Sequence, residues 1–522
     1  MSESPLSTLE SQRSGRSYPK LRELNELSEL TAALRAQGRK IVLCHGVFDL
    51  LHIGHIRYFE EAKRLGDVLI VTVTPDRYVN KGPHRPAFPE RLRSEAIAAL
   101  ECIDYVAINA WPMAVETIRL LKPHLYVKGS EYRDASKDMT GGIALEEEAV
   151  KSVGGQIVFT DDITFSASHL INRHLAVFPR EVSDYLADFS GRYASADILR
   201  YLHGARTLKV LVVGETIIDE YQYCQAIGKS SKEPILAVKR LSTEKFAGGI
   251  LAVGNHVANF CDDVGLVTLL GQEQSQEEFI RQALAPNIEG HLLYRSNAPT
   301  IVKRRFIESY FFTKLMEVYE MNDHHLSPSD NEQVCAMLKE RLPGYDVVIV
   351  VDFGHHMLTK EAVELLCERS RFLVVNTQAN AGNMGYHTIS KYRRADYVCI
   401  AEPEIRLEAR DRQGDLRDMM RDVSRKLTVP RLAVTRGKHG CVCYSAEEGF
   451  VEVPAFANQV VDRMGAGDAF LSVTALCVAQ HAPMETVGFI GNVVGAQAIA
   501  TVGHRRSIER VALLKHLESL LK

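Results

Sequence analysis

The stretch His45–His55, H-G-V-F-D-L-L-H-I-G-H, leaves the backbone few paths. A strand-like run, Lys40–Cys44, leads into it. A helical pattern follows, with Ile56, Phe59, Ala62 and Leu65 recurring at spacings of three. Gly66 stands where a helix C-cap belongs. The motif therefore occupies a strand-to-helix turn, with His52, Gly54 and His55 at the helix start. Such an end carries free N–H groups and favours anions. Gly54 lacks a side chain and admits a phosphate close to the backbone. His52 and His55 share a helix face. Two imidazoles there can donate hydrogen bonds to a phosphate as its charge grows.

The surrounding chain alternates strand and helix. Strand-like runs fall at Lys40–Cys44, Val68–Val73, Asp104–Ile108, Leu125–Val127 and Gln156–Phe159, with helical patterns between them and a leading helix over Leu21–Gln37. This alternation implies a parallel sheet with helices on both faces, and ligands then bind beyond the carboxyl ends of the strands. A bare H-x-x-H is more often a solvated pair or half of a metal site. Here the fuller G-x-F-D-x-x-H-x-G-H sits between a strand and a helix.

That stretch resembles the cytidylyltransferase-like family, which transfers a nucleotidyl group from CTP or ATP to a phosphate. Lys81 in N-K-G-P, Arg85 and Arg93 in R-P-A-F-P-E-R-L-R, Lys128-Gly129-Ser130 after a strand, and Ser166-Ala167-Ser168 at a helix start complete the pattern. Together they look like the nucleotidyltransferase half of the bifunctional heptose-phosphate kinase/adenylyltransferases. The resemblance implies His52 and His55 as catalytic residues. It implies a nucleotide site of Gly46, Phe48, Asp49, Gly54, Lys81, Arg93, Lys128, Gly129, Ser166 and Ser168. His45 departs from that family, which usually has asparagine before the glycine.

A second motif lies far down the chain: Asp462-Arg463-Met464-Gly465-Ala466-Gly467-Asp468-Ala469-Phe470. A strand-like run, Gln459–Val461, precedes it, and a long apolar helix follows. G-A-G at a helix start exposes a row of backbone N–H groups to a phosphate in transfer. Asp468, in the first turn, is placed to take a proton from an attacking hydroxyl. With the upstream Gly248-Gly249 and Thr435-Arg436-Gly437-Lys438-His439-Gly440, Leu208–Lys522 resembles the ribokinase family of carbohydrate kinases, closest to its heptose-phosphate branch. The resemblance implies that Asp219 holds a sugar hydroxyl, that Asn255 faces the sugar beside Gly248 and Gly249, and that Lys303 and Arg305 contact a phosphorylated sugar. It extends the site to Asp352, Thr435, Gly437, Gly440, Asp462, Gly465, Ala466 and Gly467, with Glu404 ordering Mg2+ through water. Thr300–Met321, rich in β-branched, aromatic and basic residues, reads as strands of a lid.

Three positions depart from that family. Met464 stands where threonine is usual. The N-x-x-E motif reads Ala401-Glu402-Pro403-Glu404. Phe353-Gly354-His355-His356 replaces small or basic residues. The transferase motif also precedes the kinase motif, the reverse of the usual heptose enzyme.

A length of 522 residues agrees with about two to four domains. The expected organisation is an extension and helix at 1–38 with a disordered start, a Rossmann-like nucleotidyltransferase domain at 39–175, a helical linker at 176–206, and at 207–522 a ribokinase-like α/β sandwich with a small β lid. Hydrophobic and charged fractions of 46% and 25% are those of an ordinary globular protein. A net charge of −4 gives no basic excess for nucleic acid or an anionic membrane. No apolar run reaches spanning length, and the start, MSESPLSTLESQRSGRSYPK, has no signal-like apolar core. Ten cysteines without C-x-x-C spacing fit a reducing, cytoplasmic setting with no zinc site or disulfide framework. The expected activity is bifunctional: ATP-dependent phosphorylation of a sugar or sugar phosphate, and nucleotidyl transfer from ATP or CTP to a sugar phosphate, with Mg2+ and a homodimeric assembly. The alternatives are a kinase-like half that only binds sugar or dimerises, and a transferase with a non-sugar acceptor such as glycerol phosphate.

Overall fold

The computed structural model describes residues 18–79, 81–82, 85–133, 142–160, 178–457 and 460–522. The chain forms two compact units that separate between residues 177 and 178.

The first unit is built on five strands: β1 (Ile41–Gly46), β2 (Val68–Val73), β3 (Tyr105–Ile108), β4 (Leu125–Lys128) and β5 (Gln156–Phe159). They lie in the order β3-β2-β1-β4-β5, and every pairing is parallel. The central strands are continuous apolar runs because helices cover both faces. The period of two survives inside these runs. Val42, Cys44, Leu69 and Val71 join one core with Phe59, while Ile41, Leu43, Val68 and Ile70 join the opposite one with Tyr126. Each such buried Val, Leu, Ile or Phe contributes about 1.5–3 kcal/mol. Strand order reverses beside β1, so the crevice for a ligand opens at Gly46. The leading helix runs over Leu24–Ala36, shorter than its pattern suggests, because Leu21 bridges to Val106 beside β3.

The second unit contains β6 (Lys209–Lys229), β7 (Leu236–Gly249), β8 (Asp263–Glu273), β9 (Ile288–Pro299), β10 (Ile301–Glu308), β11 (Thr313–Glu320), β12 (Val347–Asp352), β13 (Leu373–Thr377), β14 (Tyr397–Ala401), β15 (Arg431–Thr435), β16 (Cys441–Ser445) and β17 (Gly449–Val453). Its central layer runs β9-β8-β6-β12-β13-β14-β15 in parallel, closed by antiparallel β16 and β17. β6 belongs to two layers. It pairs with β12 as far as Gly214 and with β8 as far as Glu215, then continues from Thr216 between β7 and β10. The expected lid strands are β10 and β11, and the lid is larger than anticipated because β7 and the far half of β6 complete it.

Two local expectations change. Residues 176–206 were expected to form one linker helix. From Phe178 on they form two helices, Arg180–Arg192 and Ser195–Gly204, packed within the second unit. Phe189 stacks on Phe489 at 4.3 Å, and Arg192 pairs with Glu485 at 2.5 Å. The expected strand Gln459–Val461 is not formed at Val460 and Val461, which are about half exposed. β17 has already ended at Val453, before Pro454, and Gln459 lies outside the described residues.

Candidate functional site

In the first unit, His52 is the N-cap of the helix Ile53–Arg64, and its Nδ1 accepts from the Gly54 N–H at 3.1 Å. Accepting there leaves the ring proton on Nε2. The His52 and His55 rings stack with centroids 3.9 Å apart, and Phe48, at a φ of 47°, meets the His55 ring edge-on at 5.3 Å. Burial, then the charges of His52 and Lys81, hold the His55 ring down to about 3, and burial also lowers His52. At neutral pH the pair is therefore uncharged and offers N–H donors rather than cations.

The other expected nucleotide residues divide by what already holds them. Asp49 accepts from Arg85 Nε at 2.6 Å and from the Ala87 N–H at 2.5 Å, which fixes the following loop. The buried Arg93 guanidinium donates to the carbonyls of Val47, Thr74 and Phe88 and to Asp76. Both residues shape the turn around the motif. Lys128, at the end of β4, pairs with Glu146 at 2.9 Å and lies over the rings of Tyr126 and Tyr132. Gly129 follows at the start of a short turn. His45, the departure from the family pattern, uses both ring nitrogens, Nδ1 toward Thr72 Oγ1 at 2.9 Å and Nε2 toward Thr74 Oγ1 at 3.3 Å. Gly46 accommodates the Phe48 ring, and a Cβ there would meet it at 3.0 Å. Ser166 and Ser168 lie outside the described residues.

In the second unit a cleft of ≈ 1450 Å³ runs along the carboxyl ends of the parallel strands. Its lining brings together Asp219, Gly249, Lys303, Arg305, Glu404, Thr435, Gly437, Gly465, Gly467 and Asp468, which the sequence scatters over most of the unit. The lid supplies one wall. Asp219 on β6 sits beside Lys303 on β10 in register. Arg305, two residues on and on the same face, ion-pairs with Asp219 and with Glu317 at 2.7 Å. Gly248 makes this packing possible, because a Cβ there would lie 2.1 Å from Asp219 Oδ2. Lys303 differs from Arg305. It is 5% exposed, its ammonium lies 5.0 Å from the Tyr319 ring centroid and 5.6 Å from that of Phe353, and it has no carboxylate partner among the described residues. Burial pulls its ammonium below the usual lysine range.

The opposite wall is the start of the helix Ala466–Ala479. Gly465 caps it at a φ of 76°, a left-handed conformation that suits glycine. Asp468 in its first turn is buried and accepts from Gln378 Nε2 at 2.6 Å. Burial raises its carboxyl above the usual range, as a general base requires. Glu404 accepts from the N–H groups of Ala379 at 3.1 Å and Ala401 at 2.5 Å, and burial pushes it up to about 7.

Besides Gly248 and Ala466, four expected residues do not line the cleft. Asn255 points to the turn after the helix Glu277–Ala283, donating to the Ala283 carbonyl and accepting from the Ala285 N–H, each at 2.8 Å. The family resemblance placed it near the sugar, but its amide holds that turn. Asp352 lies behind Phe353, fully buried, held by Lys391 Nζ and Tyr392 OH at 2.8 Å. Asp462 accepts from Tyr221 OH, Lys314 Nζ and the Met464 and Gly503 N–H groups, so it ties the lid to the G-A-G turn. Gly440 lets the chain pass against the end of β17, where a Cβ would meet the Val453 carbonyl oxygen. Gln378, Tyr319 and His504 line the cleft without having been anticipated.

A family model described as pfkB family carbohydrate kinase matches residues 207–510, and a cytidylyltransferase-like model matches residues 43–173. The bifunctional protein HldE of Trichlorobacter lovleyi is 41% identical over 140 residues, covering 26% of this chain and 27% of that protein. HldE of Aliarcobacter butzleri is 42% identical over 139 residues, covering 26% of this chain and 29% of that protein. These matches fall in the N-terminal region, so the chain spans less than a third of the length of either relative. A crystal structure of phosphofructokinase-2 from Escherichia coli in complex with potassium aligns over 60% of this chain and 100% of its own, at 13% identity and a TM-score of 0.49.

Proposed function

Because this chain belongs to the pfkB family of carbohydrate kinases and carries a cytidylyltransferase-like unit ahead of that domain, we propose that it is a bifunctional sugar-activating enzyme. One observation carries the kinase half. Asp468 and the Gly465–Gly467 turn face Asp219 and Lys303 across a single cleft. A sugar hydroxyl bound by Asp219 attacks the γ-phosphorus of ATP. The new O–P bond forms, the bond to the β-phosphate oxygen breaks, and Asp468 takes the hydroxyl proton. The helix N-terminus stabilises the phosphoryl in transit. Arg305 is already neutralised by Asp219 and Glu317, so Lys303 is the lid cation left for an anionic group on the sugar. That favours a sugar phosphate as acceptor.

No group of three or more His, Cys, Asp or Glu side chains among the described residues could hold a metal by itself. A magnesium ion would therefore travel on the nucleotide phosphates and meet Glu404 through water, where the buried carboxyl has a charge for a cation to stabilise. Its chemistry is charge neutralisation at the phosphates.

In the transferase half, a sugar phosphate oxygen attacks the α-phosphorus of ATP or CTP and pyrophosphate leaves. His52 and His55 donate N–H groups to the growing charge, with Lys81 acting on His55 and Lys128 held at the end of β4. This step needs positioning and electrostatics, not a protein nucleophile. The functional domains are read as 39–175 and 207–522, working as a cytoplasmic homodimer. No described helix is long and apolar enough to cross a membrane.

The test measures pyrophosphate and ADP release with ATP and CTP against a panel of sugars, sugar phosphates and sugar 1-phosphates, with His55→Ala and Asp468→Asn as controls. Acceptor-dependent pyrophosphate lost in the first variant, and acceptor-dependent ADP lost in the second, are the expected results. Nucleotide and sugar binding without ADP turnover would replace the kinase assignment with a sugar-binding module.

A further inference from the structure

His504 lies outside every motif from which the kinase site was read, yet it occupies the junction of that site's two walls. Its side chain is nine-tenths buried, and its Nε2 lies 3.6 Å from Asp219 Oδ2. The other side of the ring rests against Gly465, where a Cβ would fall 2.3 Å from its Cε1 and 2.7 Å from its Nδ1. The same ring lines the cleft with Gly467 and Asp468. One imidazole thus touches both the carboxylate expected to hold the sugar and the glycine that opens the anion-binding helix. Gly465 is needed twice over, for its left-handed φ and for the space the ring fills.

We infer that His504 is a further catalytic residue of the kinase half, donating from Nδ1 to the phosphoryl group as it passes from ATP to the sugar. This rests on the kinase reading above. With Nε2 facing Asp219 at 3.6 Å, Nδ1 lies against Gly465, at the turn where the phosphoryl must lie. The ring donates from Nδ1 to the phosphoryl oxygens, with Asp219 beyond its other edge. It keeps its proton throughout, while Asp468 takes the one released by the hydroxyl.

The experiment compares wild type, His504→Ala, His504→Asn and Asp468→Asn by steady-state ADP release, and by affinity for ADP with and without fluoroaluminate, a mimic of the phosphoryl in transit. In His504→Ala, kcat is expected to fall roughly 10²–10³-fold, the effect of removing one donor to developing charge. KM for ATP should change little, imidazole in the buffer should restore part of the rate, and the fluoroaluminate enhancement of ADP binding should fall by a similar factor. His504→Asn, which keeps one donor, should lie between. Unchanged kcat and unchanged mimic affinity in His504→Ala, beside an inactive Asp468→Asn, would overturn the role of His504 and leave the kinase reading intact. If wild type turns over no sugar, the mimic decides: equal enhancement in wild type and His504→Ala overturns the proposal, and absence of ADP binding overturns both readings.

Discussion

Lys314 Nζ lies 2.7 Å from Asp462 Oδ1 and joins the outermost lid strand to the turn that opens the helix Ala466–Ala479. The other carboxylate oxygen accepts from Tyr221 OH at 2.7 Å and from the Gly503 N–H at 3.0 Å. Burial alone would raise this carboxyl, but Lys314 and Tyr221 outweigh it and hold it below the usual range. The lid is thus latched to the phosphate-binding turn through one side chain.

Replacing Asp462 by Asn removes the charge and keeps the shape. Hydrogen bonds to a charged group are worth about 1.5–3 kcal/mol each, so the latch should weaken markedly. Hydrogen exchange over residues 301–320 should accelerate, and KM for the sugar substrate should rise at least roughly tenfold, the equivalent of losing about 1.4 kcal/mol. Unchanged exchange in the lid strands would refute the latch.

Gly248→Ala introduces a Cβ 2.1 Å from Asp219 Oδ2. Overpacking of this kind costs about 1–3 kcal/mol, and here the displaced atom belongs to the sugar site. Sugar-dependent ADP release should fall at least as far as in Asp219→Asn, while pyrophosphate release by the first unit persists. Two separate product assays on one variant check this.

Lys303→Gln removes the buried cleft-lining cation of the lid that forms no ion pair among the described residues. The loss should appear in KM for a phosphorylated sugar, with much less change for its unphosphorylated counterpart. A kinetic comparison of the two acceptors decides it. Equal effects on both would mean that Lys303 serves the lid rather than the substrate.

His45 gives a pH prediction. Burial, then the charge of Lys128, holds its ring down to about 4 in the folded chain, against an unfolded value near 6.5. The unfolded chain therefore binds a proton more readily across that window. The stability this neutral ring contributes is complete above about pH 6.5 and is lost as pH falls toward 4, by at most about 1.4 kcal/mol per pH unit. His45→Asn should be less stable than wild type at pH 7.5, and the difference should shrink at pH 5. Paired denaturation curves at the two pH values measure it.

The legible parts of this chain were those where local pattern and tertiary role agree. Val68–Val73 and Gln156–Phe159 read as strands and are strands, because an apolar β-branched run between turns has one use in a parallel sheet. His52, Gly54 and His55 read as a helix start, since cap and turn chemistry act over a few residues. What escaped depends on distant partners. Nothing within the turn at Gly503–Arg505 announces that His504 will meet Asp219. The family resemblance put Asn255 at the sugar, but the carbonyl that claims its amide, Ala283, comes from another element. Val460 and Val461 had strand-like composition, but the sheet already had its edge in β17.

The passage of β6 from one layer to the other governs how the cleft can open. No loop separates the central layer from the lid along this strand, since paired backbone continues through Glu215 and Thr216. A lid carried on loops swings like a door, whereas one grown from a strand must bend like a leaf spring. Its restoring force comes from the ladder hydrogen bonds on either side of the bend. Asp219 and Lys303 pair just beyond the point where β6 changes layer. Opening therefore moves the far tips of β6 and β7 most and these two residues least, so the sugar-binding geometry is largely kept while the entrance is open.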